Sequence, residues 1–484
     1  MDFRSIQFVL FVNGIILCIL AGAMIAPGVL DFLHGNRDWQ VFAASGGVTL
    51  FAGLMLTIAN NGPPQRIDQR TSYLLTILSW SLVGAFGSLP LWLSSLKLSF
   101  TDAFFETMSG LTTTGSTVLT GLDTMAPGLL LWRSLLQWIG GIGIVVMAIV
   151  LLPLMRVGGM QLFKAESSDI SGKIVPRVYQ LAALTALTYL ALSVACAIAY
   201  SFAGMGWFDA VNHAMTTLAT GGYSTKDASI GHYNSVPIEV VSIIFMTSGA
   251  LPLVFYARLF LDGPAALARE RQIVPFLCVL LVAVGAMTLW NVGANGMGWS
   301  TALRQSAFNV TSVLTDTGFA SADFAKWGSF AIGLFFILFL VGGCAGSTAG
   351  GIKIFRWQLL FKGARRQLLL TLSPHRVVSV RYAGRSVELE MLASVRNFFF
   401  LYLLTFFGLS LACMATGLDF LSSTSGVAQG MANAGPGLST LVGPAANFAS
   451  IPNGAKWIIV LAMLMGRLEL MTVYVLLLRD FWRR

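Results

Sequence analysis

Ser109-Gly110-Leu111-Thr112-Thr113-Thr114-Gly115-Ser116-Thr117 decides how this chain is read, because three later stretches echo it. They are Thr217-Leu218-Ala219-Thr220-Gly221-Gly222-Tyr223-Ser224, Val313-Leu314-Thr315-Asp316-Thr317-Gly318-Phe319-Ala320 and Met431-Ala432-Asn433-Ala434-Gly435-Pro436-Gly437. Aligned on Gly115, Gly222, Gly318 and Gly435, the echoes recur after 107, 96 and 117 residues. Solenoid repeats have periods of about 20–50 residues, so each unit here is a much larger piece of chain.

A short amphipathic run precedes each echo, at 100–108, 207–216, 303–312 and 420–429. Apolar segments long enough to cross a bilayer flank each run and its echo. The unit therefore reads as helix, half-helix, polar glycine loop, helix. Non-helical backbone at membrane depth leaves amides and carbonyls unpaired, which is tolerated only where the loop is buried in protein or lines a water-filled cavity. Rings of carbonyls that replace the hydration shell of a potassium ion are one use of such loops. Four units are expected to close one ring.

The 484 residues are 56% hydrophobic and only 11% charged, with a mean hydropathy of +0.76. That balance belongs to an all-α membrane protein with many spans. The net charge of +9 is then to be read by position. Cys18, Cys196, Cys278, Cys344 and Cys413 all lie in apolar segments without metal-ligand spacing, and read as packing residues. His34, His213, His232 and His375 are scattered, and no catalytic constellation or nucleic-acid motif is present.

Residues 6–33 form an apolar run after a lone Arg4. Ala21-Gly22-Ala23 has the form of a signal-peptidase site, but the run continues past it, which favours a retained transmembrane helix. With 41–59 it makes an accessory pair, residues 1–62, that lacks a half-helix and a glycine loop. Pore repeat one is assigned to 63–165, with spans at 73–93 and 128–155, and repeat two to 166–268, with spans at 178–202 and 238–261. Repeat three, 269–385, has spans at 273–292 and 330–361; repeat four, 386–484, has them at 395–415 and 457–478. Ten spans and four re-entrant loops result. Inner loops carry an excess of Lys and Arg, and the basic segments fall on one side of this count: Arg66 and Arg70; Arg156, Lys164, Lys173 and Arg177; 258–271; 353–385; and 479–484. Both termini are then cytoplasmic, and every glycine loop enters from outside.

Read together, Ser109 to Gly115, Ala219 to Thr225, Thr317-Gly318-Phe319, Asn433 to Gly437 and Gly466-Arg467-Leu468-Glu469 resemble the Trk/Ktr/HKT superfamily of cation channels and transporters, and within it the membrane subunit of the Trk potassium-uptake system. The resemblance spans the chain in the family's order, including two extra N-terminal spans. It implies four pseudo-symmetric helix-loop-helix units around a central pore, a homodimer in the bacterial inner membrane, and a cytosolic nucleotide-binding regulatory subunit. The transported ion would be potassium, with no nucleotide bound by this chain itself. Asp316 departs from the family, which usually has an uncharged residue there. Its carboxylate either faces the pore and strengthens cation attraction, or points behind the filter to hydrogen-bond with loop amides; the second reading is favoured because only backbone need line such a filter.

Candidate filter carbonyls are those of Thr113 and Thr114, Thr220 and Gly221, Asp316 and Thr317, and Asn433 and Ala434, followed by Gly115, Gly222, Gly318 and Gly435, which supply backbone angles closed to other residues. Tight turns are the plain alternative, but four in register after four half-helices favour a filter. A second feature is Gly342-Gly343-Cys344-Ala345-Gly346-Ser347-Thr348-Ala349-Gly350-Gly351, followed by Lys353. Five glycines in ten residues, each costing about 1 kcal/mol relative to Ala, do not sustain a helix. The resemblance implies an intramembrane gate; close helix packing by small residues is the competing reading. A phosphate loop fails, since Ile352 separates Gly351 from Lys353.

Arg467 lies deep in the last span, where a charge normally faces a cavity or partner. It reads as an electrostatic barrier below the filter, or as a snorkelling or paired Arg, with Glu469 badly placed to pair with it. Asp102, Glu106 and Asp209 either draw cations to the outer mouth or cap half-helices, capping being favoured for Asp102 and Asp209. The eight Lys and Arg of 353–385, with no Asp or Glu among them, fit inner-loop basicity, attraction to anionic lipid, or docking of a regulator. A secondary transporter is the alternative to a channel; inverted repeats would support it, and these repeats share one orientation.

Overall fold

In the computed structural model of the chain the four amphipathic runs are short helices, Phe100–Leu111, Trp207–Leu218, Trp299–Leu314 and Phe420–Ala432. Each extends two or three residues beyond the expected end, to a cap described below. The described residues are 3–62, 68–150, 174–263, 267 and 270–483. Arg66, Arg156, Lys164 and Lys173, the end of the span expected to reach Met155, and the junction of repeats one and two lie outside them.

Seven described helices are long and apolar enough to cross a membrane: Phe3–Leu33, Trp39–Ala59, Gln69–Leu93, Pro127–Met147, Gln180–Phe202, Ile273–Gly293 and Leu389–Ala415. Two further spans are bent pairs. Val236–Ala250 turns by 97° into Leu253–Leu259, and Asn453–Arg467 turns by 108° into Leu470–Leu477. Pro252 lacks the amide that would continue the first of these. At the second, Glu469 has φ +63, a left-handed conformation that ends the helix. The segment expected as one span at 330–361 is Ser329–Phe339, an irregular glycine-rich stretch, and Ile354–Leu372. Three of the four closing helices are thus broken, and that of repeat one is continuous over its described residues, Pro127–Val150.

The N-terminal pair packs on repeat one. Asp31 is fully buried and accepts the Gly128 amide at 2.7 Å, the first free donor of the closing helix. Asp38 accepts from Ser95, and Phe42 meets Trp132 edge-on at 6.2 Å. Strand is limited among the described residues to a hairpin, Arg381–Tyr382 with Arg385–Ser386, after the third closing segment.

Candidate functional site

All four half-helices end the same way. In the first, the Thr113 amide donates to Gly110 O at 2.9 Å and the Thr114 amide to Ser109 O at 2.8 Å. The same two bonds recur from Thr220 to Thr217 (3.0 Å) and Gly221 to Thr216 (2.9 Å), from Asp316 to Val313 (3.0 Å) and Thr317 to Ser312 (2.9 Å), and from Asn433 to Gly430 (3.3 Å) and Ala434 to Gln429 (3.0 Å). This is the Schellman termination, which needs one left-handed residue just past the helix. That residue is Thr113, Thr220, Asp316 or Asn433, with φ of 53°, 51°, 58° and 60°. Asn and Asp tolerate this region, whereas a β-branched Thr there is strained. Two residues on, Gly115, Gly222, Gly318 and Gly435 also have positive φ, from 74° to 94°.

The glycines bring the loops together in a closed order. A Cβ on Gly115 would overlap the Gly221 carbonyl oxygen, and one on Gly222 the Thr317 oxygen. On Gly318 it would lie 2.7 Å from Ala434 O, and on Gly435 3.2 Å from Thr114 O. Each repeat's glycine therefore abuts the residue before the glycine of the next repeat, and repeat four returns to repeat one. Thr114, Gly221, Thr317 and Ala434 supply the four oxygens. The half-helices aim their C-terminal ends, each carrying about half a negative charge, at this ring. A ring of backbone oxygens at the negative ends of four helices suits a dehydrated monovalent cation.

Buried side chains brace the ring from behind. Gln137 donates to Gly221 O at 2.5 Å and accepts the Tyr223 amide at 3.0 Å, so one lone pair of the Gly221 carbonyl is already committed. Asn433 donates to Thr114 Oγ1 at 3.0 Å, and Ser116 to Gly435 O at 2.8 Å, tying repeat one to repeat four. Glu106, expected to draw cations at an outer mouth or to cap a half-helix, does neither: it is fully buried and pairs with Arg133 at 2.8 Å while accepting from Thr117 and the Val118 amide. Arg133 in turn reaches Ser224 O and stacks 4.1 Å over Tyr223. Removing one partner of a buried pair costs about 3–5 kcal/mol. Glu106→Gln should accordingly lower the melting temperature of the purified protein, and Glu106→Gln/Arg133→Met should recover part of the loss; an unchanged melt for the single variant would show that the pair does not brace the loops.

Neither Asp102 nor Asp209 is the cap that the sequence led us to expect. Ser99 caps the first half-helix, and Asp102 accepts from the Ser99 hydroxyl at 2.7 Å and from Lys456 at 2.6 Å. Asp209 accepts from Thr225 at 2.6 Å and lies 3.8 Å from Lys226, while Gly206 holds the cap position. Asp419, not singled out from the sequence, caps the fourth by accepting the Ser422 amide.

On one side of the ring, residues just after the glycines, including Ser116, Tyr223, Ala320 and Pro436, line a cavity of about 80 Å³. On the other side lies the 342–351 stretch. Its Gly351 amide donates to Ala432 O at 2.9 Å, and Thr348 donates through its hydroxyl to Leu218 O at 2.8 Å. Ala432 and Leu218 are the last residues of half-helices four and two, so the loop crosses directly behind their ends. Further bonds run from the Cys344 amide to Ala250 O and from the Ala345 amide to Gln272.

Charges converge on this loop. Arg467, 3% exposed, donates to Thr348 O at 2.9 Å and Gly140 O at 3.3 Å, so its guanidinium stays inside the protein and does not snorkel. Glu469 is not its partner: it pairs with Arg356 at 2.6 Å. Lys353 donates to Ala349 O. A cavity of about 40 Å³ is bounded by Gly346, Ala349, Lys353, Arg356, Arg467 and Glu469. Asp316 is fully buried with its carboxylate toward the loop; a Cβ on Gly351 would lie 3.5 Å from Oδ1. The Gly343 and Gly350 amides face the carboxylate, yet neither of its oxygens is within hydrogen-bonding geometry of a donor, and Lys353 and Arg467 are the cations that act on it.

The fold and this site define a helical membrane protein built from four re-entrant units closed into one ring. The chain belongs to the TrkH family of cation transport proteins, whose family model matches residues 39–482. It is accordingly a transport protein and not an enzyme. It is 42% identical over 477 residues to the Trk system potassium uptake protein TrkI of Halomonas elongata, covering 98% of this chain and 97% of that one. To the Trk system potassium uptake protein TrkH of Escherichia coli (strain K12) it is 38% identical over 491 residues, covering both chains in full (100%). The crystal structure of the potassium transporter TrkH from Vibrio parahaemolyticus superposes with a TM-score of 0.92 at 33% identity, with 100% of each chain covered.

Proposed function

We propose that the chain takes up potassium through the ring of loops at Thr113 to Gly115, Thr220 to Gly222, Asp316 to Gly318 and Asn433 to Gly435. The observation that carries this reading is the fourfold repetition of one left-handed cap, strained at Thr113 and Thr220, closed head to tail by the four glycines. Strained backbone persists only where its surroundings over-determine it, and it clusters at functional positions. The carbonyls take over from water around the ion, the C-terminal helix ends favour its positive charge, and the buried braces hold the oxygens at fixed spacing. The potassium uptake proteins to which this chain is similar along its full length support the choice of ion.

The Gly342–Gly351 stretch, with Arg467, is the gate. Pinned behind half-helices two and four, with Lys353 and Arg467 at its margin, the loop obstructs the axis and adds positive charge where a cation would leave the ring. Opening means releasing the Thr348, Gly351 and Arg467 bonds together. In this reading the chain works as a homodimer in the bacterial inner membrane, with both termini cytoplasmic, under a cytosolic nucleotide-binding regulatory subunit that shifts the loop.

Flux into liposomes that carry only this chain, compared for potassium, rubidium and sodium with and without a proton gradient, tests the reading. Selective potassium flux indifferent to the proton gradient is expected. Flux that requires a proton or sodium gradient would instead make the chain a coupled symporter on the same fold. Asp316→Asn replaces the buried carboxyl behind the ring by a neutral amide of the same shape while leaving the ring's backbone in place. Potassium flux should fall severalfold, with potassium-to-sodium selectivity held within about twofold, a difference of roughly 0.4 kcal/mol. A selectivity collapse in that variant would put the carboxylate in the filter itself.

A further inference from the structure

We propose that the basic pocket between helix Ile354–Leu372 and the hairpin that follows it binds the phosphodiester headgroup of an anionic phospholipid. A cavity of about 190 Å³ is lined there by Lys362, Arg365, Arg366 and Arg381, with Val378 and Ser379 closing its far wall. No acidic residue occurs anywhere from 353 to 385, and none of the described residues lining the cavity is acidic. Two of the cations are held in place by backbone: Lys362 donates to Arg381 O at 2.8 Å and Arg366 to Val378 O at 3.2 Å. Each keeps further N–H donors for a ligand, since an ammonium has three and a guanidinium five. Four cations converging without a counter-charge repel one another, and a bound anion relieves that repulsion. Arginine forks match phosphate oxygens two at a time, which makes phosphate the fitting anion.

The same helix shows why the phosphate belongs to a lipid. Phe361, Leu368 and Leu372 are 67%, 68% and 81% exposed, and spacings of seven and eleven residues put them on one side of the helix. Arg365 lies along that side, one turn from Phe361, and Lys362 and Arg366 lie together round to one side of it, toward the pocket. An exposed apolar stripe bordered by cations is the signature of a helix lying in a membrane surface, with its apolar side toward the acyl chains and its cations at headgroup level. A soluble anion would need only the pocket, whereas a phospholipid uses both the pocket and the stripe. Nothing in the conduction reading depends on this site, so either can fail without the other.

Native mass spectrometry of the intact detergent-solubilised protein, titrated with phosphatidylglycerol or phosphatidylcholine, tests the proposal. Wild type should retain at least fivefold more phosphatidylglycerol, and the excess should shrink as salt is raised. Lys362→Gln/Arg365→Gln/Arg366→Gln should lose it with an unchanged melting temperature; if that variant does not fold, Arg365→Gln alone should lower the excess at least twofold. The proposal is overturned by equal retention of the two lipids in wild type, as would follow if a second copy of the chain or another protein covered the stripe. It is also overturned by undiminished retention in the folded variants, or by inorganic phosphate at millimolar concentration displacing the lipid, which would make the pocket a site for a free anion.

Discussion

Gly318→Ser should lower potassium-over-sodium selectivity at least tenfold, equivalent to about 1.4 kcal/mol. Two penalties meet at this residue. At φ +86 an L-residue costs about 1–2 kcal/mol relative to glycine. In addition, the new Cβ would lie 2.7 Å from Ala434 O and 2.9 Å from the Gly435 Cα. Those neighbours are backbone of the next repeat, so they cannot swing aside as a side chain would. The least costly relief moves the Ala434 carbonyl, and with it the spacing that separates a larger ion from a smaller one. Gly204→Ser supplies the control, since Gly204 has φ +99 but no atom within 4 Å of the place a Cβ would take. It should carry the backbone strain alone and leave selectivity intact. Relative flux of potassium, rubidium and sodium in liposomes reads both variants. A folded Gly318→Ser protein with wild-type selectivity would remove this loop from the filter.

How much of this was legible in the sequence depends on the range of the interaction. The four loops stood out because each needs a left-handed residue and then a glycine at fixed spacing, a local demand that leaves a local trace. The interruption at 342–351 was visible for the same reason, five glycines being more than a helix carries. The bends at Ala250–Leu253 and Arg467–Leu470 were not, because the hydropathy runs through them unbroken and one proline is tolerated in a membrane helix. Nor were the braces. Gln137 meets Gly221 across 84 residues and Arg356 meets Glu469 across 113, and neither pair has a motif. Glu106 was misplaced because an acid on a half-helix looks like a mouth charge until its partner is known, and Arg133 lies in what reads as an apolar closing helix. For Asp316 the sequence suggested loop amides as partners but not the influence of two cations, because Lys353 and Arg467 come from other parts of the chain.

Arg467→Ala should raise basal flux through the isolated chain by about thirtyfold, and the size follows from two separable losses. The first is charge. At an effective dielectric near 20, like unit charges on the order of 8 Å apart repel by about 2 kcal/mol, so a positive charge at that range from the ion path would lower cation occupancy by roughly a factor of thirty. The second is the anchor: Arg467 holds Thr348 O, and Thr348 holds Leu218 O, so the side chain fixes the loop behind half-helix two. Arg467→Lys keeps the charge and gives up the forked contact to Thr348 and Gly140. An electrostatic barrier therefore predicts that Lys stays near wild type while Ala leaks. An anchoring role predicts that both leak, and shortening 342–351 should then leak as much as Arg467→Ala. Should Arg467→Ala fold with wild-type flux, neither the charge nor the anchor limits conduction, and the loop is packing. Should it lose its fold, the residue supports structure first, because Thr348 O, in an irregular loop, would lose its donor, and an orphaned buried carbonyl costs about 1–3 kcal/mol.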